Sequence, residues 1–177
     1  LHYVAFNIAA STLFLIALGL LYGLLGSLNM AELSVRVAQL APDDVALVQA
    51  AAGLLFVVFC AKAALLPMYF WLPETYTHAP AAVAGLFAIM TKVGLYAVLR
   101  LGTLSFGALG PLDGFAWPAL LVLGAATLVL ASLGVLAATR LRAQAAYLVL
   151  GSAATLFVAF SLGTAGTMGA GLYYLVH

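Results

Sequence analysis

Charge is what this 177-residue sequence lacks most. Charged residues make up 6% of it and apolar residues 67%, whereas a soluble domain carries roughly 25% charged residues. Because a chain of this composition cannot cover its surface with polar groups, it belongs in a lipid bilayer. Its net charge of +1 offers no basic surface for nucleic acid.

Cysteine is almost absent as well. Cys60 is the single cysteine, so the chain can form no disulfide within itself. One cysteine cannot hold an iron–sulfur cluster, and no nucleotide-binding motif occurs in the sequence. The sequence therefore implies no cofactor and no metal site.

Long apolar runs dominate what is there. A transmembrane helix needs about 20 apolar residues, and five runs are long enough, with a sixth that stops in mid-run. These spans cover residues 4–25, 45–72, 81–101, 118–138, 143–162 and 167–177, and the glycine-rich segment 102–117 is predicted to be a loop. Residues 29–40 place apolar side chains, from Met30 to Leu40, on one helical face and predict a short amphipathic helix in the membrane interface. The predicted fold is all-α, a polytopic transmembrane bundle forming a single domain over 1–177, interpreted as an internal piece of a longer protein.

Acidic residues are missing from every span, yet two lysines are present. Lys62 and Lys92 each stand near the middle of an apolar stretch, where a lysine costs at least about 2.5–3.5 kcal/mol on insertion scales. Snorkelling relieves that cost only near helix ends. The pair therefore predicts a site that carries protons or ions. His177 lies at a similar depth in the last span, with a helix-packing role as the alternative. His78 falls in a predicted loop and is interpreted as a surface residue.

The second span is longer than one crossing requires and contains Pro67. An interior proline removes a helix hydrogen bond and clashes with the carbonyl four residues earlier, here that of Ala63 beside Lys62. Because discontinuous helices form ion sites in transporters, a proline-broken helix is predicted at Lys62, and a simple proline kink is the alternative. Polar side chains that could support a chain of water molecules are Thr91, Tyr96, Ser152 and Thr155.

Two buried ammonium groups without a carboxylate would be strongly unfavourable if both were charged. Two explanations remain open at this point. A carboxylate comes from a helix outside this sequence, or desolvation keeps one lysine neutral. A lysine poised between its charged and neutral forms can pass a proton, so both explanations are compatible with proton transfer.

Residues 59–100 resemble the core signature of the antiporter-like membrane subunits. That family comprises Mrp-type multisubunit cation/proton antiporters and the proton-pumping subunits of respiratory complex I and related hydrogenases. The matching residues are Lys62, Pro67, Trp71, Leu72, Pro73, Ala79, Pro80, Lys92, Gly94 and Arg100. Tyr69 and the four residues after it are most similar to the D-type member of Mrp complexes, since complex I members commonly carry a histidine at that position.

The resemblance implies a proton-translocating subunit of a multisubunit Na⁺ or other monovalent cation/proton antiporter. Such a protein is a secondary transporter and not an enzyme, and it lies in the bacterial inner membrane with other membrane subunits as partners. By the same resemblance, Lys62 accepts protons opposite a glutamate of an upstream helix, Lys92 relays them along the midplane, and His177 extends the route. The histidine that many relatives carry between the two lysines is absent from residues 81–91.

Three alternatives remain. A subunit of an NADH:quinone oxidoreductase or membrane-bound hydrogenase would use the same lysines with redox energy. A structural membrane scaffold would need neither lysine. A retinal protein also buries a lysine, but it needs an acidic counter-ion, and no span contains an acid.

Overall fold

The computed structural model describes residues 2–105 and 116–176, and these ranges contain α-helices and no strand. The α-helices within them are α1 (His2–Leu25), α2 (Met30–Ala38), α3 (Val45–Lys62), α4 (Trp71–His78), α5 (Ala81–Arg100), α6 (Trp117–Ala137), α7 (Leu141–Ser161) and α8 (Ala165–Val176). A 3₁₀ turn, Met68–Phe70, precedes α4, and a π-helical turn, Leu101–Ser105, extends α5. The predicted all-α fold class is confirmed.

Five helices of the described ranges are long and apolar enough to cross a membrane. They cover Tyr3–Leu25, Val45–Lys62, Ala81–Thr103, Trp117–Ala137 and Leu141–Ser161. Large apolar side chains remain exposed on these helices, including Leu136 at 83% and Val122 at 67%. A surface of this kind suits lipid or further apolar helices, as the predicted polytopic bundle requires.

The helices pack as two groups that meet where α4 and α5 contact α7. α3 packs against both α1 and α5, and α6 and α7 form a hairpin closed by the short turn at Arg140. Close approach within that hairpin depends on Gly134, because a Cβ there would overlap the Tyr147 ring. Small residues at helix contacts are the usual means of close packing in membranes.

α2 is fixed to the end of α1 by polar contacts. The Arg36 guanidinium donates to the carbonyl of Leu25 at the end of α1, and its Nε donates to Glu32 at 3.0 Å. The Ser27 hydroxyl and then Arg36 hold the pKa of Glu32 below its usual range. Leu33 is 3% exposed, so α2 turns part of its apolar face into the protein; its position in the membrane interface remains a prediction.

The broken helix is present, but its boundaries differ from the simple pattern of a proline kink. α3 ends at Lys62, five residues before Pro67, and α4 begins only at Trp71. The sequence predicts His78 in a loop, and this is wrong, because His78 is the last residue of α4. Pro80 disfavours helical geometry at the residue before it, which places the end of α4 after His78.

Two further predictions fall partly or wholly outside the described residues. The predicted loop over residues 102–117 begins inside the π-helical turn, and residues 106–115 lie outside the described ranges. α8 starts at Ala165, two residues before the predicted sixth span. His177 itself lies outside the described residues.

Candidate functional site

The site begins where α3 stops at Lys62. The chain turns out of the helix through Ala64, whose φ of 59° is unusual for a residue with a side chain. The amide of Ala63 still bonds the carbonyl of Phe59 at 2.9 Å, and that of Leu65 bonds the carbonyl of Cys60 at 2.9 Å. The helix end is therefore tightened by local bonds, as buried backbone groups require.

Two side chains from other elements complete the hydrogen bonding of the break. The amide of Leu66 donates to the Thr127 hydroxyl of α6 at 3.0 Å, and the Trp71 indole of α4 donates to the Ala61 carbonyl at 2.9 Å. Thr127 is 1% exposed and Trp71 is 7% exposed. Because irregular backbone at membrane depth must be satisfied by protein or water, these two side chains stabilise the break. Sequence reasoning assigned neither of them a hydrogen-bonding role.

The Lys62 side chain is half-buried and contacts α1. Its ammonium donates a hydrogen bond to the side-chain amide oxygen of Asn7. Asn7 is also half-buried, and it lies in a helix that carries no acidic residue. One signal in the sequence was missed here, namely an asparagine near the start of an apolar span.

Gly94 brings the helix of Lys92 against the helix of Lys62. A Cβ on Gly94 would lie 3.3 Å from the Lys62 Cβ, the Ala63 nitrogen and the Phe59 carbonyl oxygen alike. α5 therefore packs directly on the backbone of the break. Lys92 stands two residues before this contact, as the twelfth of the 20 residues of α5, so the two lysines belong to one packed unit.

Lys92 itself faces a cavity between α5 and α7. The cavity has a volume of about 340 Å³, and its lining consists of Ala88, Thr91, Lys92, Leu148, Val149, Ser152 and Ala153. Most of this lining is apolar, and water can be held where the three polar side chains, those of Thr91, Lys92 and Ser152, converge. The structure thus brings together Lys92 with Thr91 and Ser152, two of the hydroxyl residues named from the sequence.

The other two hydroxyl residues named from the sequence lie elsewhere. Thr155 is exposed and donates to the Gly151 carbonyl of its own helix at 2.9 Å. Tyr96 is 39% exposed and accepts a hydrogen bond from Arg100 at 2.9 Å. Neither residue lines the Lys92 cavity. His78 is exposed, and its Nδ1 lies 3.0 Å from the Glu74 carbonyl, which agrees with its interpretation as a surface residue.

A buried hydroxyl of α4 reaches the residue next to Lys92. The Tyr76 hydroxyl is buried and makes no hydrogen bond to any residue of the described ranges. The Thr91 hydroxyl lies close to it on α5 but donates its hydrogen bond to the Ala88 carbonyl, at 2.8 Å. A buried polar group without a partner is costly, so it marks a position where a water molecule or another group completes the contact.

No group of three or more His, Cys, Asp or Glu side chains in the described part of the chain could hold a metal ion. The chemistry that the arrangement offers is therefore that of two amines, an amide and several hydroxyls. Amines and hydroxyls both donate and accept hydrogen bonds in their neutral forms, and they can exchange protons through water.

Comparison with known proteins gives one consistent family. The family model described as NADH:quinone oxidoreductase/Mrp antiporter, transmembrane, matches residues 1–177. The chain is 45% identical over 177 residues to the D component of a probable K(+)/H(+) antiporter of Rhizobium meliloti (strain 1021), covering 99% of this chain and 33% of that protein. It is 35% identical over 178 residues to the D component of the Na(+)/H(+) antiporter of Bacillus subtilis (strain 168), covering 100% of this chain and 35% of that protein.

Two solved structures share the fold. A chain of the Mrp complex from Dietzia sp. DQ12-45-1b superposes with a TM-score of 0.85 at 27% identity, over 99% of this chain and 31% of that one. A chain of the membrane-bound sulfane sulfur reductase, an archaeal respiratory membrane complex, superposes with a TM-score of 0.88 at 29% identity, over 99% and 35%. The chain thus spans about a third of the length of these relatives.

Proposed function

Because this chain belongs to the NADH:quinone oxidoreductase/Mrp antiporter transmembrane family, we propose that it is part of a proton-translocating subunit of a multisubunit monovalent cation/proton antiporter. Its relatives from Rhizobium meliloti and Bacillus subtilis are both named as D components of antiporters. In this proposal the protein belongs to a transporter of the bacterial inner membrane, and its partners are the other membrane subunits of the complex.

The observation that carries the proposal is the packing of two lysine-bearing helices on one broken backbone. Gly94 lets α5 pack on the Lys62 turn, where an added Cβ would lie 3.3 Å from the nearest atoms. Lys92 lines a cavity together with the hydroxyl residues Thr91 and Ser152. Few charges occur in this chain, and a lysine at bilayer depth is expensive. Their placement on neighbouring elements at a helix break supports a shared role in proton transfer.

The proposed transfer passes a proton from Lys62 at the helix break to Lys92, which stands beside the cavity lined by Thr91 and Ser152. Tyr76 and Thr91 supply hydroxyls on the α4 and α5 sides of this route. His177 extends the route in this proposal, and a glutamate of an upstream helix, implied by the family resemblance, is the partner of Lys62.

The relatives indicate the class of the exchanged ion but not which ion it is. One relative is named for K⁺ and the other for Na⁺, so the proposal covers monovalent cations. In this proposal the two lysines are not part of the cation-binding site, because a positively charged ammonium repels a cation.

A redox-driven complex is the second candidate, because a chain of a respiratory complex shares the fold. The sulfane sulfur reductase chain superposes as well as the Mrp chain does, with TM-scores of 0.88 and 0.85. The two candidates use the same lysines and differ in the energy source. Proton movement driven by a cation gradient alone, with no electron donor present, supports the antiporter; movement that requires the donor supports the redox complex.

The test is cation-driven proton flux in membrane vesicles that carry the complete complex. Lys92→Ala removes the amine inside the cavity, and we expect flux to fall at least tenfold with normal assembly. Arg142→Ala is the matched control, because it removes an exposed positive charge at the start of α7 and should leave flux unchanged. Wild-type flux in both Lys92→Ala and Lys62→Ala would leave the scaffold interpretation standing.

A further inference from the structure

Asn7 is the polar residue that contacts the lysine at the helix break. It lies in the second turn of α1, 55 positions away from Lys62 in the sequence, and its side-chain oxygen accepts from the Lys62 ammonium. The surrounding α1 residues face aromatic rings, since Phe6 and Tyr3 both pack on Trp71. An amide in an apolar span is unfavourable unless it is hydrogen-bonded, and here the lysine provides the bond.

The elements around Lys62 place no carboxylate beside it within the described ranges. The titratable groups on the elements that pack against α3 near the break are Tyr3 of α1, Tyr69 of the 3₁₀ turn and Lys92 of α5. On α4, Tyr76 is buried and Glu74 is exposed. Asn7 is thus a neutral partner for Lys62, and the carboxylate of Glu74 lies exposed on α4.

We infer that Asn7 is a positioning residue that holds the Lys62 amine in both of its protonation states. This inference rests on the proposed function. The side-chain oxygen of an asparagine accepts from an ammonium, and its NH₂ group donates to the lone pair of a neutral amine. A half-turn of the amide exchanges the two groups, so Lys62 keeps a partner before and after it loses its proton.

The chemistry of an amide at position 7 complements that of the upstream glutamate of the proposed function, which stabilises only the charged form of Lys62. A second carboxylate, at position 7, would favour that charged form further, by about one to three pH units, and Lys62 would retain its proton. An apolar partner has the opposite effect, because it leaves the ammonium without an acceptor in a desolvated place. An amide lies between these extremes and lets the lysine release and regain a proton at similar cost.

The experiment measures the pH profile of cation-driven proton flux in vesicles carrying the complete complex. Asn7→Asp should move the profile toward higher pH by about one unit or more, because Lys62 then holds its proton more tightly. Asn7→Leu, which is close to isosteric, should move it toward lower pH. Asn7→Gln keeps the amide and should stay closest to wild type.

Thr12→Val is the matched control on the same helix. The Thr12 hydroxyl donates to the Ile8 carbonyl of α1 at 3.0 Å and is exposed, so its loss should leave the profile in place. A purely structural asparagine would give variants with less assembled complex and an unshifted profile. The inference would be overturned if the pH profiles of Asn7→Asp and Asn7→Leu shifted in the same direction. It would also be overturned if neither profile shifted while the complex assembled normally.

Lys62→Ala in the same assay separates this inference from the proposed function. Loss of flux in Lys62→Ala together with unshifted Asn7 variants rejects the role of Asn7 and keeps the proposed function. Full flux in Lys62→Ala rejects the proposed use of that lysine itself.

Discussion

The two lysines occupy very different surroundings. Lys62 ends a helix, at a turn that is stabilised by Thr127, Trp71 and Asn7 from three other elements. Lys92 stands inside the unbroken helix α5, beside a cavity of about 340 Å³. The first amine is held in place by protein, and the second has room for water. In the proposed function this difference corresponds to two roles, in which the fixed amine sets the proton affinity and the amine beside the cavity passes the proton on.

The contrast also shows how backbone and side chains share the cost of a broken helix. Around Lys62 the backbone leaves its regular path, and buried side chains supply the missing hydrogen bonds. Around Lys92 the backbone needs no such support, so side chains there are free to line a cavity. Gly94 joins the two regions, because it touches the first and lies two residues from the second.

The largest effect should come from separating the two regions at Gly94. Gly94→Leu places a side chain against the backbone of the break, where even a Cβ would lie at 3.3 Å. Overpacking of this kind costs about 1–3 kcal/mol or more, and we expect proton flux to be lost altogether. Gly85→Leu is the control on the same helix, since a Cβ there meets nothing within 4 Å. Equal flux in both variants would show that the contact between the regions is not needed.

A smaller effect should follow from loosening the break alone. Thr127→Val keeps the shape of the side chain but removes the acceptor of the partly buried Leu66 amide. An amide left without a partner costs about 1–3 kcal/mol, so the melting temperature of the purified complex should fall and flux should fall with it. Thr127→Ser restores the hydroxyl and should recover both. A melting temperature unchanged in Thr127→Val would mean that water replaces the hydroxyl.

The sequence predicted the parts of this structure that depend on composition and on single residues. Apolar run lengths predicted the membrane helices, and Pro67 together with Lys62 predicted a discontinuous helix. The exact end of α3 was not predictable in this way, because it depends on bonds from distant residues. Thr127 is 61 positions from Leu66 in the sequence, and no local pattern relates them.

The candidate site, like the fold, was predictable only where single residues carry the signal. A charge in an apolar run is visible in a sequence, so both lysines could be named. Asn7 and Tyr76 could not be assigned roles, because an amide or a phenol in a helix carries no signal until its neighbour is known. Of the four hydroxyl residues proposed to support water, Thr91 and Ser152 line the cavity of Lys92; helix geometry alone did not distinguish them from Thr155 and Tyr96.

The smallest effect on stability is expected for Tyr76, and its direction is opposite to that expected for Gly94→Leu and Thr127→Val. Tyr76→Phe removes a buried hydroxyl that has no hydrogen-bond partner within the described ranges. Loss of an unpaired polar group is neutral or stabilising, by up to about 1 kcal/mol, so the melting temperature should hold or rise slightly. If that hydroxyl instead carries protons between the break and Lys92, flux should fall severalfold in the same variant. Tyr147→Phe, on the α6–α7 hairpin, is the control, and unchanged flux in Tyr76→Phe would remove this hydroxyl from the route.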